Sequence, residues 1–466
     1  MKKVHSTGMT FCVIAALAML CIGNMNAQSS WATYIPPFGD TIGISDIEVV
    51  NENVIWAVGV RLGVDDSLYY YGIANETYYA VTADGGATWK KGTVPMGAIP
   101  FIGNIAATDA GAAIIIGLDN FANAKSLKTT DGGTTWLPTN TNWDPVASWP
   151  DYIHAFTPAK YCVIGDPRDG EFEIYNTYNA GQVWQKVPGA NIPDPIAGEF
   201  GFNNAGCAVG NTIWFGTNQG RVYRSKNSGI SWEAFATPLG SSFGNISFSD
   251  ENNGLASTGY GFSAGSQMYR TADGGETWTK LTNLPYNGDF LTFGQAAYIP
   301  NQPYLVQGLT PGGNLSGPYE TWISPDRGDT WQQISSGEMI GWPTFISPKV
   351  GWAGEFQQLS HPTRLFKYTG SPLVGLFTPN KLDAEISISP NPASDVARVQ
   401  VTVSEPTDFL LLLNDASGKL IQNVSLKNTS EFTQTFDLQA LPAGVYTLSV
   451  STAKGSAARK FVKNKG

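Results

Sequence analysis

Charge is scarce in this 466-residue chain: Asp, Glu, Lys and Arg together make up 14% of it, against about 25% in ordinary soluble domains. Acids outnumber bases 38 to 28, for a net charge of −10, and the lysines and arginines form no cluster. An acidic chain without a basic run excludes nucleic acid and anionic lipid as partners. Histidine occurs three times. Of the two beyond the first residues, His154 and His361 lie far apart without metal-ligand spacing, so no metal centre is expected. Asp65-Asp66 could touch calcium, but no regularly spaced acids follow it. No phosphate loop, dinucleotide fingerprint or nucleophile elbow is present, so no cofactor is expected either.

Long apolar runs are absent as well. Phe11 to Ile22 is the only candidate and is too short to span a bilayer, so no stable membrane insertion is expected. Lys2 and Lys3 precede it and Asn26-Ala27-Gln28 follows, which marks residues 1–27 as a secretory signal peptide. Cys12 and Cys21 leave with that leader. Cys162 and Cys207 remain in apolar strand-like runs, where a disulfide and a pair of buried thiols both fit.

What the chain has in plenty is aromatic residues and glycine: 14 Trp, 19 Tyr, 23 Phe and 52 Gly. They are arranged in a repeat. Thr82-Ala-Asp84-Gly-Gly86-Ala-Thr88-Trp89 recurs around Asp131, Asp273 and Asp326, and in looser form around Asn179 and Asn227. The six closing tryptophans, Trp89, Trp136, Trp184, Trp232, Trp278 and Trp331, are 47, 48, 48, 46 and 53 residues apart. That period, with strand-like sequence between copies, predicts an all-β propeller. The motif resembles the Asp-box (BNR) repeat. Its acid or amide turns the backbone while glycine accepts positive φ, so Asp84, Asp131, Asn179, Asn227, Asp273 and Asp326 are read as hairpin fasteners rather than catalysts.

A second signal runs in phase. Strands ending in Gly recur at Gly59, Gly117, Gly165, Gly216, Gly259, Gly308 and Gly354, giving six complete units and a seventh without an Asp-box. Trp31-Ala-Thr-Tyr-Ile-Pro36 resembles the segment after each Asp-box, and pairing it with the last unit would close the ring. Seven blades over residues 30–377 fit best, with six and eight as the neighbouring counts.

After a linker at 378–385 the pattern changes. Ser389-Pro390-Asn391-Pro392, then Asp415-Ala-Ser-Gly418-Lys, Leu441-Pro-Ala-Gly444-Val-Tyr446 and a basic end follow in order. Residues 386–466 resemble the type A C-terminal sorting domain of the type IX secretion system, a small β-sandwich. The resemblance implies the type IX machinery as a partner, passage through the periplasm and across the outer membrane, and a secreted or cell-surface product.

Ligands are expected on the face opposite the Asp-box turns, where loops are unequal. Candidate ligand-binding residues there are Trp143, Trp149, Arg168, Tyr69 and Tyr70, and the carboxylates Asp144, Asp151, Asp166 and Asp169 are candidate catalytic groups. Indoles beside acids suit sugar rings. Asp-box propellers include sialidases, which need an arginine triad; Arg224 and Arg270 stand just before Asp-boxes and are badly placed for one. They include xyloglucan-degrading enzymes, which clasp a cleft between two propellers, and single propellers of the photosystem II assembly-factor type, which act by binding. The expectation is a propeller that binds an extracellular glycan or protein, with a two-carboxylate glycoside hydrolase as the alternative.

Overall fold

The computed structural model describes residues 30–34, 42–61, 77–97, 101–119, 123–139, 148–258, 267–284, 290–292, 296–311, 319–338, 340–355, 364–370, 382, 384–415, 420–452 and 455–464. The leader at 1–27 and most of the 378–385 linker fall outside them.

Seven antiparallel sheets follow one another along residues 31–368. Blade 1 shows the plan: Ile42–Val49, Ile55–Arg61, Thr77–Thr82 and Lys90–Val94 pair in chain order. The first strand of each blade packs against the first strands of its neighbours, so these strands form the inner wall of a seven-bladed propeller. In blade 6 the inner strand is split into Phe290–Thr292 and Ala297–Tyr298, both pairing with Leu305–Pro311. Blade 7 takes its outermost strand from the other end of the chain: Trp31 to Tyr34 run antiparallel to Leu365 to Tyr368 in the register Trp31↔Tyr368. The ring is thereby closed, and no blade edge stays unpaired at the seam.

Each Asp-box is a small hydrogen-bonded unit. In blade 1 the Thr82 hydroxyl donates to Asp84 Oδ1 (2.7 Å) and accepts from Gly86 N–H (2.9 Å). Thr88 then donates its N–H and its hydroxyl to the two Asp84 oxygens, at 2.8 and 2.6 Å. These bonds hold Asp84 and Asp131 ionised, down to about 2; the largest share comes from the Thr88 hydroxyl and the Thr135 N–H respectively. The tryptophan that follows packs across to the previous blade: Trp136 meets Trp56 and Tyr79 edge-on, and Trp89 meets Trp352.

Basic residues fasten one blade to the next. Lys90 Nζ reaches the Asp131 carbonyl (2.9 Å), Lys128 Nζ the Ala180 carbonyl (2.8 Å), and Arg224 the carbonyls of Asp273 and Gly274. Arg270 pairs with Asp329 (2.7 Å), and Lys367 of blade 7 closes the circuit on Gly85 of blade 1 (2.6 Å). Arg224 and Arg270 are therefore clasps between blades, which is why they precede Asp-boxes in the sequence.

The tail forms a separate sheet. Val396–Asn414 and Leu420–Asp437 pair along their length with a register slip between Thr402 and Thr407; Ala384–Ser389 lines one half and Gly444–Thr452 with Gly455–Lys463 the other. Val399, Val401, Leu411, Leu413, Phe436, Leu448 and Phe461 fill the core between the halves. The first and last motifs of the tail meet in space. Asn391 Oδ1 accepts from Val462 N–H (3.0 Å), and the Tyr446 hydroxyl donates to the Pro442 carbonyl (2.7 Å).

Candidate functional site

Inner strands carry a bulge at a common position. Register slips between Ile44 and Asp46, Ile102 and Asn104, Pro150 and Tyr152, and Phe243 and Asn245. The residues passed over are Ser45, Gly103, Asp151 and Gly244. Three blades put a small residue there; blade 3 puts a carboxyl. Bulges re-aim side chains, and this one turns Asp151 into the seam with blade 4.

There Asp151 meets Asp166, near the end of strand Tyr161–Arg168, carboxyl against carboxyl. Asp151 is 2% exposed. Gly201 of blade 4 donates its N–H to Asp166 Oδ1 (2.9 Å), and a Cβ on Gly201 would stand 2.2 Å from Asp151 Oδ2, so a side chain there would displace the Asp151 carboxyl. Asp166 N–H donates to the Trp149 carbonyl (2.9 Å), and the Ser148 hydroxyl donates to the Asp166 carbonyl (2.9 Å). Gly165 belongs to the same arrangement. A Cβ there would lie 2.7 Å from Ser148 Oγ, which gives the recurring strand-end glycine its reason in this blade. Burial, followed by the negative charge of Asp166, drives the Asp151 carboxyl well above the usual range. Burial raises Asp166 to about 6. Such a pair shares a proton, as like charges in contact cannot both ionise.

The other candidates are dispersed. Asp169 is 92% exposed at the tip of the hairpin after Arg168, with φ 53°, and its carboxylate is 3.7 Å from Arg168 Nε. Trp149 is half-buried and packs on the core between blades 2 and 3. Trp143, Asp144, Tyr69 and Tyr70 lie outside the described residues.

Sequence reasoning passed over Ile196 and Phe200, which stand 47% and 44% exposed in the loop leading into blade 4. Phe200 meets Phe202 edge-on at 5.9 Å, and its N–H donates to Asn218 Oδ1 (2.8 Å). Beneath it Glu199 is buried, accepting from the Thr217 hydroxyl (2.6 Å) with Arg221 Nε at 3.4 Å. The long proline-bearing segment from Pro188 to Phe200 was the available signal; attention to indoles beside acids missed it.

Deeper in the ring, Asp46 accepts from Ile105 N–H (3.0 Å), Ile47 N–H (2.9 Å), Asn104 (3.2 Å) and, from blade 4 across the channel, Asn204 (3.4 Å). Burial raises Asp46, and burial together with the Asp46 charge raises Glu48 to about 8. Burial lowers His154 to about 4. Cys162 and Cys207 are free thiols. Among the described residues no cluster of three or more His, Cys, Asp or Glu is arranged to hold a metal ion, and no helix is long and apolar enough to cross a membrane.

Residues 387–464 match the secretion system C-terminal sorting domain. The chain carries a type IX sorting domain. That domain marks the protein for type IX export, to the cell surface or the medium, and its machinery handles the tail. Over 269 residues the chain is 26% identical to an oligoxyloglucan-reducing end-specific xyloglucanase of Emericella nidulans, covering 55% of this chain and 27% of that enzyme. The chain thus spans about a quarter of that relative's length. Among solved structures, YCF48 bound to D1 peptide aligns with a TM-score of 0.52 and 19% identity over 74% of this chain and 98% of the other. YCF48 from Cyanidioschyzon merolae gives 0.50 and 15% over 73% and 98%. At these identities the structural likeness concerns the propeller fold alone.

Proposed function

We propose that this protein is an exported binding propeller that holds an extracellular glycan at the seam of blades 3 and 4. One observation carries the reading. Gly201 donates its N–H to the Asp166 carboxyl, which burial raises to about 6, and the residue before it, Phe200, is exposed. Aromatic faces take the apolar side of a sugar ring, and the carboxyl accepts its hydroxyls. The polysaccharide named for the fungal relative supports a carbohydrate as the ligand.

That relative also favours a second reading, a glycoside hydrolase. It is the weaker one. Hydrolytic carboxyl pairs stand about 5–10 Å apart across an open groove, whereas Asp151 and Asp166 touch and Asp151 is sealed from solvent. The test is a glycan array probed with the mature full chain, xyloglucan oligosaccharides included, with reducing-sugar release assayed on each hit. Binding without release, weakened at least about tenfold by Phe200→Ala, is the expected result. Release abolished by Asp166→Asn would make the protein a hydrolase. An array with no hits, alongside capture of a protein through the same loops, would replace the glycan by a protein ligand.

A further inference from the structure

The Asp-box face is not uniform. In blades 1, 2, 5 and 6 the seventh residue of the motif is a threonine whose hydroxyl donates to the second aspartate oxygen, at 2.6, 2.7, 2.5 and 2.6 Å. Blades 3 and 4 alter both partners. Asn179 keeps the turn by accepting the Val183 N–H (2.9 Å), but the hydroxyl is gone and Val183 stands 52% exposed. Asn227 reverses the bond, donating its amide to the Ser231 hydroxyl (2.8 Å), and Ile230 is exposed beside it. The turns survive without their charge.

Two further exposed apolar side chains adjoin them, Tyr178 on the blade 3 turn and Leu137 on blade 2. Leu137 pairs with Lys128, whose ammonium caps the Ala180 carbonyl, and Asn176 Nδ2 donates to the Gly229 carbonyl (2.8 Å), so the three turns are physically joined. The charge in this sector is inverted. Segments 156–160, 177–184, 209–212 and 225–232 build this face of blades 3 and 4, and their charged residues are Lys160 and Lys226 alone. The matching turns of blades 1, 2, 5 and 6 carry Glu52, Asp84, Asp109, Asp131, Asp250 and Asp273 among others. In blades 3 and 4 these segments thus carry two cations and no acid in an otherwise acidic molecule, with Asp131 on the adjoining blade 2 turn.

We infer that this sector is a docking surface for an acidic protein segment carrying apolar side chains. Charge complementarity chooses the occupant: ammonium groups attract carboxylates, while Leu137, Val183 and Ile230 are still unburied. A sugar is disfavoured because Lys160 already covers the Tyr178 ring at 5.5 Å. A membrane is disfavoured because two lysines contribute only about 1 kcal/mol each at an anionic surface. The surface lies on the face opposite the seam that holds Asp166, so it stands independently of the glycan reading.

The experiment is to pan a random-peptide display library on the mature full chain, then measure selected peptides against wild type, Val183→Thr/Ile230→Thr and Lys226→Glu. Threonine at 183 restores the residue found in four other blades, and unchanged melting temperatures confirm folding. The expected outcome is enrichment of peptides rich in Asp or Glu with aliphatic or aromatic residues. Each substitution should weaken them at least about tenfold, added salt should weaken them further, and Phe200→Ala should leave them unaffected. Enriched peptides without an acidic bias, equal affinity for the variants, or binding only to anionic vesicles would overturn the proposal.

Discussion

The two faces of the propeller hold their carboxyl groups in opposite ways. On the Asp-box face Asp84 and Asp131 each receive hydrogen bonds from a following threonine and a preceding one, and both are driven down to about 2. On the opposite face Asp151 and Asp166 are pressed together in the seam of blades 3 and 4, and burial drives them up, Asp166 to about 6. The first arrangement recurs in blades 1, 2, 5 and 6, with asparagine in place of the acid in blades 3 and 4. The second occurs where one blade departs from the others, at a bulge occupied elsewhere by Ser45, Gly103 and Gly244. Repetition marks what the fold needs for itself; departure marks where a ligand can be met.

The largest effect should come from the closure that both faces share. Trp352 is fully buried against Tyr34 and Trp89, at the junction of blades 7 and 1. Trp352→Ala should cost about 3–5 kcal/mol in denaturant unfolding, enough to blur any difference between the faces. A smaller loss on one face should follow Thr129→Val. The buried hydroxyl donates to Asp131 (2.9 Å) and accepts from Gly133 N–H (2.8 Å), so its removal should cost about 1–3 kcal/mol. Glycan affinity should not change.

The pH dependence separates the faces by sign. Asp166 has a folded value raised from 3.8 to about 6, so its contribution to stability is complete below pH 4 and is lost as pH rises through 6. Asp131 behaves the other way, its contribution being present above pH 4 and lost as pH falls toward 2. Melting curves across pH should therefore show Asp166→Asn flattening the decline between pH 4 and 6, and Asp131→Asn flattening only the acid limb. If Asp166→Asn left the decline unchanged, the acid pair would not be the group responsible. The smallest effect is expected from Asn179→Asp with Val183→Thr, which restores the common Asp-box and should stabilise blade 3 by no more than about 1 kcal/mol.

Much of the fold was legible because it is written in repeats. The motif tryptophans at near-constant spacing, the strand-end glycines and the segment at Trp31–Tyr34 specified seven blades and the closing strand together. The sorting domain was legible because four short motifs keep their order, and the contact of Asn391 with Val462 joins the first of them to the last. The site was much less so. Asp151 and Asp166 could be named as acids on the face opposite the Asp-boxes, but their contact depends on a bulge that slips the register by one residue, which composition does not reveal. Phe200 escaped because an exposed aromatic in a proline-bearing loop carries no periodic signal. Arg224 and Arg270 stood out only as badly placed for binding a carboxylate, while their work as clasps needs the adjacent blade.

The most direct test of the account compares one residue from each face in the mature full chain. Glycan affinity and melting temperature would be measured together for Phe200→Ala and Asp131→Ala. The account predicts that Phe200→Ala loses affinity at an unchanged melting temperature, and that Asp131→Ala lowers the melting temperature at an unchanged affinity. Loss of affinity in Asp131→Ala with none in Phe200→Ala would place the ligand on the Asp-box face and contradict it.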